Sequence, residues 1–230
     1  MKKITSYFYL STLIFLSACG QPSTENKGAT TDTLAKTVKD TSVKQAPLSD
    51  KTVKFLWRAN KYDESIKDSV SSIFIDEAFC KTITDPERAA LGYVATFIGN
   101  ECWWDGEANA DRSNLKCKIL TALNLGYQCS AQHLGFLRQW FKGDKNPLKE
   151  LENCPTTPYT ATIQDTFDEI TLTVRGDKIS VFFKANGVNI REGNSWSWTE
   201  TNHFLVENDC IKLIEKVKSP VKQNQGKPGE

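Results

Sequence analysis

Ile170-Thr171-Leu172-Thr173-Val174-Arg175-Gly176-Asp177-Lys178-Ile179-Ser180-Val181-Phe182-Phe183 is the stretch on which the fold turns. Ile170, Leu172 and Val174 alternate with Thr171, Thr173 and Arg175, a period of two that lays one row of side chains on each face of a strand. Gly176-Asp177 supplies a two-residue hairpin turn, and Ile179, Val181 and Phe183 then resume the alternation. Downstream, Asn186-Gly187 reads as another hairpin turn before Val188 and Ile190. Gly193-Asn194 leads to Trp196 and Trp198, and Asn208-Asp209 precedes Ile211 and Leu213. From about Tyr159 onward this predicts an antiparallel meander of about five strands.

Upstream the period changes to that of a helix. From about Asp63, the residues Ile66, Val70, Ile73 and Phe74 predict a first helix ending near Cys80. Thr84-Asp85-Pro86-Glu87 then offers a cap, a first-turn proline and an acid that complements the helix dipole. The nearly continuous apolar run Ala89 to Ile98 marks that second helix as central. Asp111 or Ser113 caps a third, carrying Leu115, Ile119, Leu120 and Leu123 and stopped at Gly126. Ser130 caps a fourth, with Leu134, Leu137, Trp140 and Phe141 on one face. Four short helices with short connections predict a small up-and-down bundle. Helices followed by strands in separate blocks give an α+β chain, with a helical domain over 52–153 and an antiparallel β domain over 154–217.

The N-terminus carries a different message. Lys2 and Lys3 precede an apolar segment, Tyr7 to Leu16, too short to cross a bilayer but suited to a removable export signal over residues 1–18. Leu16-Ser17-Ala18-Cys19 at its end resembles a bacterial lipobox. The resemblance implies cleavage before Cys19, lipid on its thiol, and an exported lipoprotein anchored to the outer or cytoplasmic membrane, outside the cytoplasm. Gly20, with no adjacent acid, is compatible with outer-membrane sorting. Residues 19–51 hold the lipidated cysteine and a Thr-, Ser- and Lys-rich stretch with few large apolar residues, which reads as a flexible tether. Residues 218–230 have a similar composition and read as a disordered tail.

Charge narrows the partners. The whole chain carries a formal charge of +1, and the signal removes two lysines and no acid, leaving −1. Such a balance gives no electrostatic case for nucleic acid or a polybasic membrane patch. The lipid on Cys19 is then the expected membrane attachment.

Seven cysteines less the lipidated one leave an even set, as expected of disulfides in an exported chain. The closest pair, Cys117 and Cys129, is too far apart for the short spacing a zinc site prefers, so no metal is expected. Antiparallel helices would bring Cys80 to Cys129 at one end of the bundle and Cys102 to Cys117 at the other. Cys154–Cys210 would then tie down the second half.

Catalytic motifs are sparse. There is no H-E-x-x-H, no G-x-S-x-G and no glycine-rich phosphate loop, and no cofactor is expected. Ser113-Asn114-Leu115-Lys116 matches S-x-x-K, but without its usual companion motifs the serine reads as a helix cap. His133 and His203 have no histidine or acid at a motif spacing. Asp105, Glu107, Asn109 and Asp111 alternate as calcium ligands do, yet Ala110 and Lys116 stand where that loop needs glycine and glutamate, so this reads as a solvated connection.

Two places attract a functional reading. Glu101, at a helix end beside Trp103 and Trp104, is the candidate general acid of a glycan hydrolase, with Asp105 or Asp111 as the second carboxylate. Trp196 and Trp198 share one strand face, which buried is simply the core face of the sheet and exposed is a stacking surface for a sugar or a partner protein; Trp103 and Trp104 are the second such candidate pair. The reading these residues support is a non-catalytic binding module for an envelope glycan or a partner protein. A cell-wall glycan hydrolase and a purely structural envelope lipoprotein are the alternatives.

Overall fold

The computed structural model describes residues 48–98, 115–154 and 162–224. The strands are β1 (Lys51–Asp63), β2 (Asp68–Ile75), β3 (Ile163–Arg175), β4 (Lys178–Asn189), β5 (Asn194–Glu207), β6 (Cys210–Lys218) and β7 (Lys222–Asn224). Between β2 and β3 lie α1 (Glu77–Thr82), α2 (Asp85–Phe97), α3 (Leu115–Ala122), α4 (Ala131–Trp140) and α5 (Lys145–Glu152). All strands join one antiparallel sheet in the order β2-β1-β3-β4-β5-β6, with β7 also on β5. Mixed helices and an antiparallel sheet are thus the architecture expected, in a different order.

The β3–β4 hairpin follows its sequence pattern. Ile170, Leu172 and Val174 stand opposite Phe183, Val181 and Ile179, and all six are buried. Gly176 makes the turn at φ 57°, a conformation that costs other L-residues about 1–2 kcal/mol. Asn208-Asp209 also turns as expected, joining β5 to β6 through Asn208 at φ 52°.

Several expectations need correction. The helix expected from Asp63 to Cys80 is replaced by β2, which pairs with β1 through Leu56–Ile75, Trp57–Phe74 and Arg58–Ile73. Ile66 is in the connecting turn and 59% exposed, and Phe74 stacks on Trp57 at 5.7 Å, so the helical spacing reflects no common apolar face. Asn186-Gly187 is no turn but the continuation of β4, with Gly187 opposite both Asp165 and Trp196. The bundle is absent too. α2 packs on α3, α4 and strands β4 to β6, so the helices cover the sheet instead of forming their own core. The expected helical and β domains therefore share one sheet and one core within the compact unit Lys44–Glu230. β7 falls inside the 218–230 segment read as a tail.

Local hydrogen bonds and ring contacts fix the helices against the sheet. Glu87 reaches back to the Thr84 backbone N–H (3.0 Å) and, though fully buried, pairs with Lys51 Nζ at 2.8 Å. Ser130 Oγ accepts from the His133 backbone N–H (3.1 Å) and caps α4 as its sequence predicts. Asp144 caps α5 through Asn146 N–H (3.2 Å), and its other oxygen accepts from Leu213 N–H (2.8 Å). That second bond ties α5 to β6. Tyr93 on α2 meets Phe141 at 5.0 Å and Phe204 at 5.9 Å, linking α2 to the sheet through the core.

Along β5, β6 pairs with Glu200–Glu207 and β7 with Ser195–Ser197. At the junction Ser219 N–H donates to Thr199 O and Ser219 Oγ accepts from Thr199 N–H, each at 2.9 Å. Pro220 has no N–H to continue the ladder, which breaks the edge into two strands.

Candidate binding cleft

Where α2 ends over the sheet, a cleft of about 310 Å³ opens between Tyr93, Val94, Phe97 and Ile98 of the helix and the inner faces of β4, β5 and β6. Its floor is set by strand register. Ala185 is opposite Trp198, Phe183 opposite Glu200, and Val181 opposite Asn202. On the next strand, Lys218 is opposite Glu200 and Lys216 opposite Asn202. The same rows are apolar deeper in, at Ile179, Phe204 and Leu213, and turn polar at the cleft.

One side of the cleft is internally satisfied. The Tyr93 hydroxyl donates to Glu150 of α5, and Lys216 Nζ donates to both Glu150 oxygens at 3.0 and 2.9 Å. Burial first, then the Glu150 hydrogen bond and the charges of Glu150, Asp144 and Glu200, push the Tyr93 phenol far above its ordinary pKa. Tyr93 is therefore a fixed donor and is unsuited to act as a base.

The other side is not satisfied. Glu200 accepts from Asn202 Nδ2 (3.1 Å), and Lys218 Nζ stands 4.8 Å from the Trp198 ring centroid. The Trp198 indole N–H is buried without a hydrogen-bond partner among the described residues. A buried donor left so costs about 1–3 kcal/mol unless water or a ligand supplies an acceptor.

The two tryptophans that share this face have different duties. Trp196 Nε1 donates to Asp165 Oδ1 at 3.0 Å, its indole crossing β4 over Gly187. A Cβ at Gly187 would come within 2.2 Å of both the indole and the carboxylate. Trp196 is thus a clamp across three strands, and Trp198 is the one that lines the cleft.

The other sequence candidates are spread through the fold. Cys129 bonds Cys154, a correction to the expected Cys80–Cys129 and Cys154–Cys210 pairs. With no bundle, Cys80 sits on α1 beside β2, while Cys210 opens β6 and donates its thiol to Glu207 O; both are free thiols. Cys117 lies in α3, and Cys102 falls outside the described residues, as do Cys19, Glu101, Trp103, Trp104, Asp105 and Asp111. His133 is fully buried: its Nδ1 accepts from Cys129 N–H (3.1 Å), so Nε2 carries the proton toward Thr96 Oγ1 (3.1 Å). His203 meets Ser180 Oγ at 2.8 Å. Among the described residues, no three His, Cys, Asp or Glu side chains gather to hold a metal, and no helix is long and apolar enough to cross a membrane.

A larger hollow of about 510 Å³ lies between β2, α1 and α3, against Ile73, Ile75, Cys80 and Ala122. Burial, then Asp76 and Glu77, raise the pKa of its Cys80 thiol, which keeps it protonated and a poor nucleophile. Glu77, Lys81, Lys118 and Thr121 complete its lining, but among the described residues none of its buried side-chain polar atoms lacks a partner as Trp198 Nε1 does, which makes the first cleft the better binding candidate.

Compared with known protein families, curated proteins and solved structures, the chain matches none.

Proposed function

We propose that this chain is an exported, lipid-anchored envelope lipoprotein whose globular part is a non-catalytic binding module, with the cleft under α2 as its ligand site. The observation that carries the reading is the Trp198 indole N–H, buried and without a partner in the wall of an aromatic cleft. Aromatic faces with a few fixed polar groups suit a small glycan fragment, since the ring stacks on apolar sugar faces while the polar groups fix orientation. No serine, cysteine or histidine lines the cleft among the described residues. Glu150 beside it is already committed to Tyr93 and Lys216, which leaves Glu200 as the one carboxylate of the lining among the described residues, without the second that a hydrolytic pair needs, and favours binding over acid–base chemistry.

The test is titration calorimetry of the full chain with soluble cell-wall glycan fragments. Trp198→Ala is expected to weaken capture by at least about tenfold, a central aromatic anchor being worth more than about 1.4 kcal/mol. A folded Trp198→Ala protein that captures every fragment as the parent does would remove the cleft from the function.

A further inference from the structure

We infer that the cleft takes a zwitterion: the amino-acid part of a short peptide, free or attached to a glycan fragment, its ammonium against Glu200 and its carboxylate against Lys218. The inference rests on the binding reading above and names the chemistry of its ligand. Glu200 and Lys218 are direct cross-strand neighbours, a placement in which opposite charges ordinarily pair. Here they do not pair. Glu200 turns to Asn202, which is only 2% exposed, and Lys218 turns to the Trp198 ring. Neither carries an ion pair among the described residues, whereas the neighbouring Lys216 is fully engaged by Glu150.

Three groups of the lining thus lack a charged or hydrogen-bonding counterpart among the described residues: one Glu200 carboxylate oxygen, the Lys218 ammonium and the buried Trp198 N–H. Their net charge is zero, so a polyanion or a polycation would meet as much repulsion as attraction. A ligand bearing one charge of each sign satisfies all three groups. Its carboxylate draws Lys218 off the ring and accepts from the Trp198 N–H, and its ammonium takes the open oxygen of Glu200. The volume of about 310 Å³ admits a dipeptide-sized group and not a folded chain.

The experiment follows the indole N–H resonances of the six tryptophans in the full-length, isotope-labelled chain. Trp198→Phe identifies the signal of interest by its loss. The probes are alanyl-alanine in its L,L and L,D forms, N-acetyl-alanyl-alanine, which lacks the ammonium, and alanyl-alanine amide, which lacks the carboxylate. The free dipeptide is expected to shift the Trp198 signal, and each capped form to need at least about tenfold more. Glu200→Gln should abolish the preference over the acetylated probe alone, and Lys218→Met the preference over the amide alone. Each variant so keeps one selectivity as proof that it is folded.

Equal response to all three probes overturns the proposal. If glycan fragments shift Trp198 while every dipeptide is silent, the zwitterion is wrong and the binding cleft stands; silence from both overturns both. A peptide-bearing glycan fragment binding at least about tenfold more tightly than the dipeptide identifies the attached form as the source, and equal affinity the free peptide.

Discussion

The β1–β2 and β3–β4 hairpins belong to the same sheet, yet only the second was readable from its residues. In β3–β4 the buried row is regular and the turn is marked by glycine at φ 57°. In β1–β2 the turn places Lys67 at φ 51°, a left-handed position that lysine does not advertise. Asp63 supplies the missing turn chemistry, its Oδ1 accepting from the Ser65 backbone N–H (2.9 Å) and from the Ser65 hydroxyl. With the turn hidden, the spacing of Ile66, Val70 and Ile73 imitates a helix. A hairpin is legible when glycine or asparagine occupies the left-handed position, and obscure when a side chain elsewhere enforces it.

The largest effect is expected where even the legible hairpin misleads. Gly187 looks like a turn residue because it follows Asn186, but it is the gap over which Trp196 reaches Asp165. Gly187→Ala should destabilise the chain by about 2–4 kcal/mol, from overpacking and the lost indole hydrogen bond together. The midpoint of urea unfolding measures it. A loss below about 1 kcal/mol would mean that the indole can relocate, and that the three strands do not depend on the clamp.

A smaller pair of changes tests the turns directly, with opposite signs. Gly176→Ala forces a Cβ into the left-handed region and should cost about 1–2 kcal/mol. Lys67→Gly relieves that strain in the other hairpin and should stabilise by about 0.5 kcal/mol after the added chain entropy is subtracted. Thermal melts of the two variants would separate these outcomes. If Lys67→Gly destabilised the chain, the Asp63–Ser65 contacts alone would not be holding that turn.

The cleft was less legible than the sheet, for a related reason. Alternation put Trp196 and Trp198 on one face, and the capping residues placed α2 and α4. It did not foresee that Lys216 and Lys218 turn inward. Ile211 and Leu213 fix the inner face of β6, and strict alternation would continue it through Glu215 and Val217. An irregularity between His203 and Phe204 shifts the register by one, which turns Lys216 and Lys218 inward and leaves Val217 half exposed. Tyr93 was equally hidden, its hydroxyl lost in the apolar run of α2 until Glu150 came alongside. The α5 helix that carries Glu150 has a weak sequence signal. Its cap, Asp144, and Pro147 in its first turn were visible, but Lys145 to Glu152 offers only Leu148 and Leu151 as apolar periodicity.

The seam between the two hairpins offers the smallest and most pointed test. Glu169 lies at the irregularity in β3, opposite Trp57 of β1 and Lys184 of β4. It pairs with Lys184 at 3.2 Å and with Lys54 at 3.4 Å, so one carboxylate joins both hairpins. Burial works against its charge, but the Lys184 hydrogen bond and the charges of Lys184 and Lys54 prevail and hold Glu169 below the ordinary glutamate value of 4.5. A lowered native pKa means the unfolded chain binds the proton first as the pH falls. The stabilisation is therefore complete above the ordinary value and is lost as pH falls through the native one. Glu169→Gln should cost less than about 1 kcal/mol near neutral pH, as partly solvated pairs do, and nothing once the parent carboxylate is protonated. Urea midpoints of parent and variant from about pH 7 down to about pH 3 should converge. Parallel curves would show that Glu169 is a bystander, leaving the backbone ladder and the buried row of Leu56 and Ile170 to hold the hairpins together.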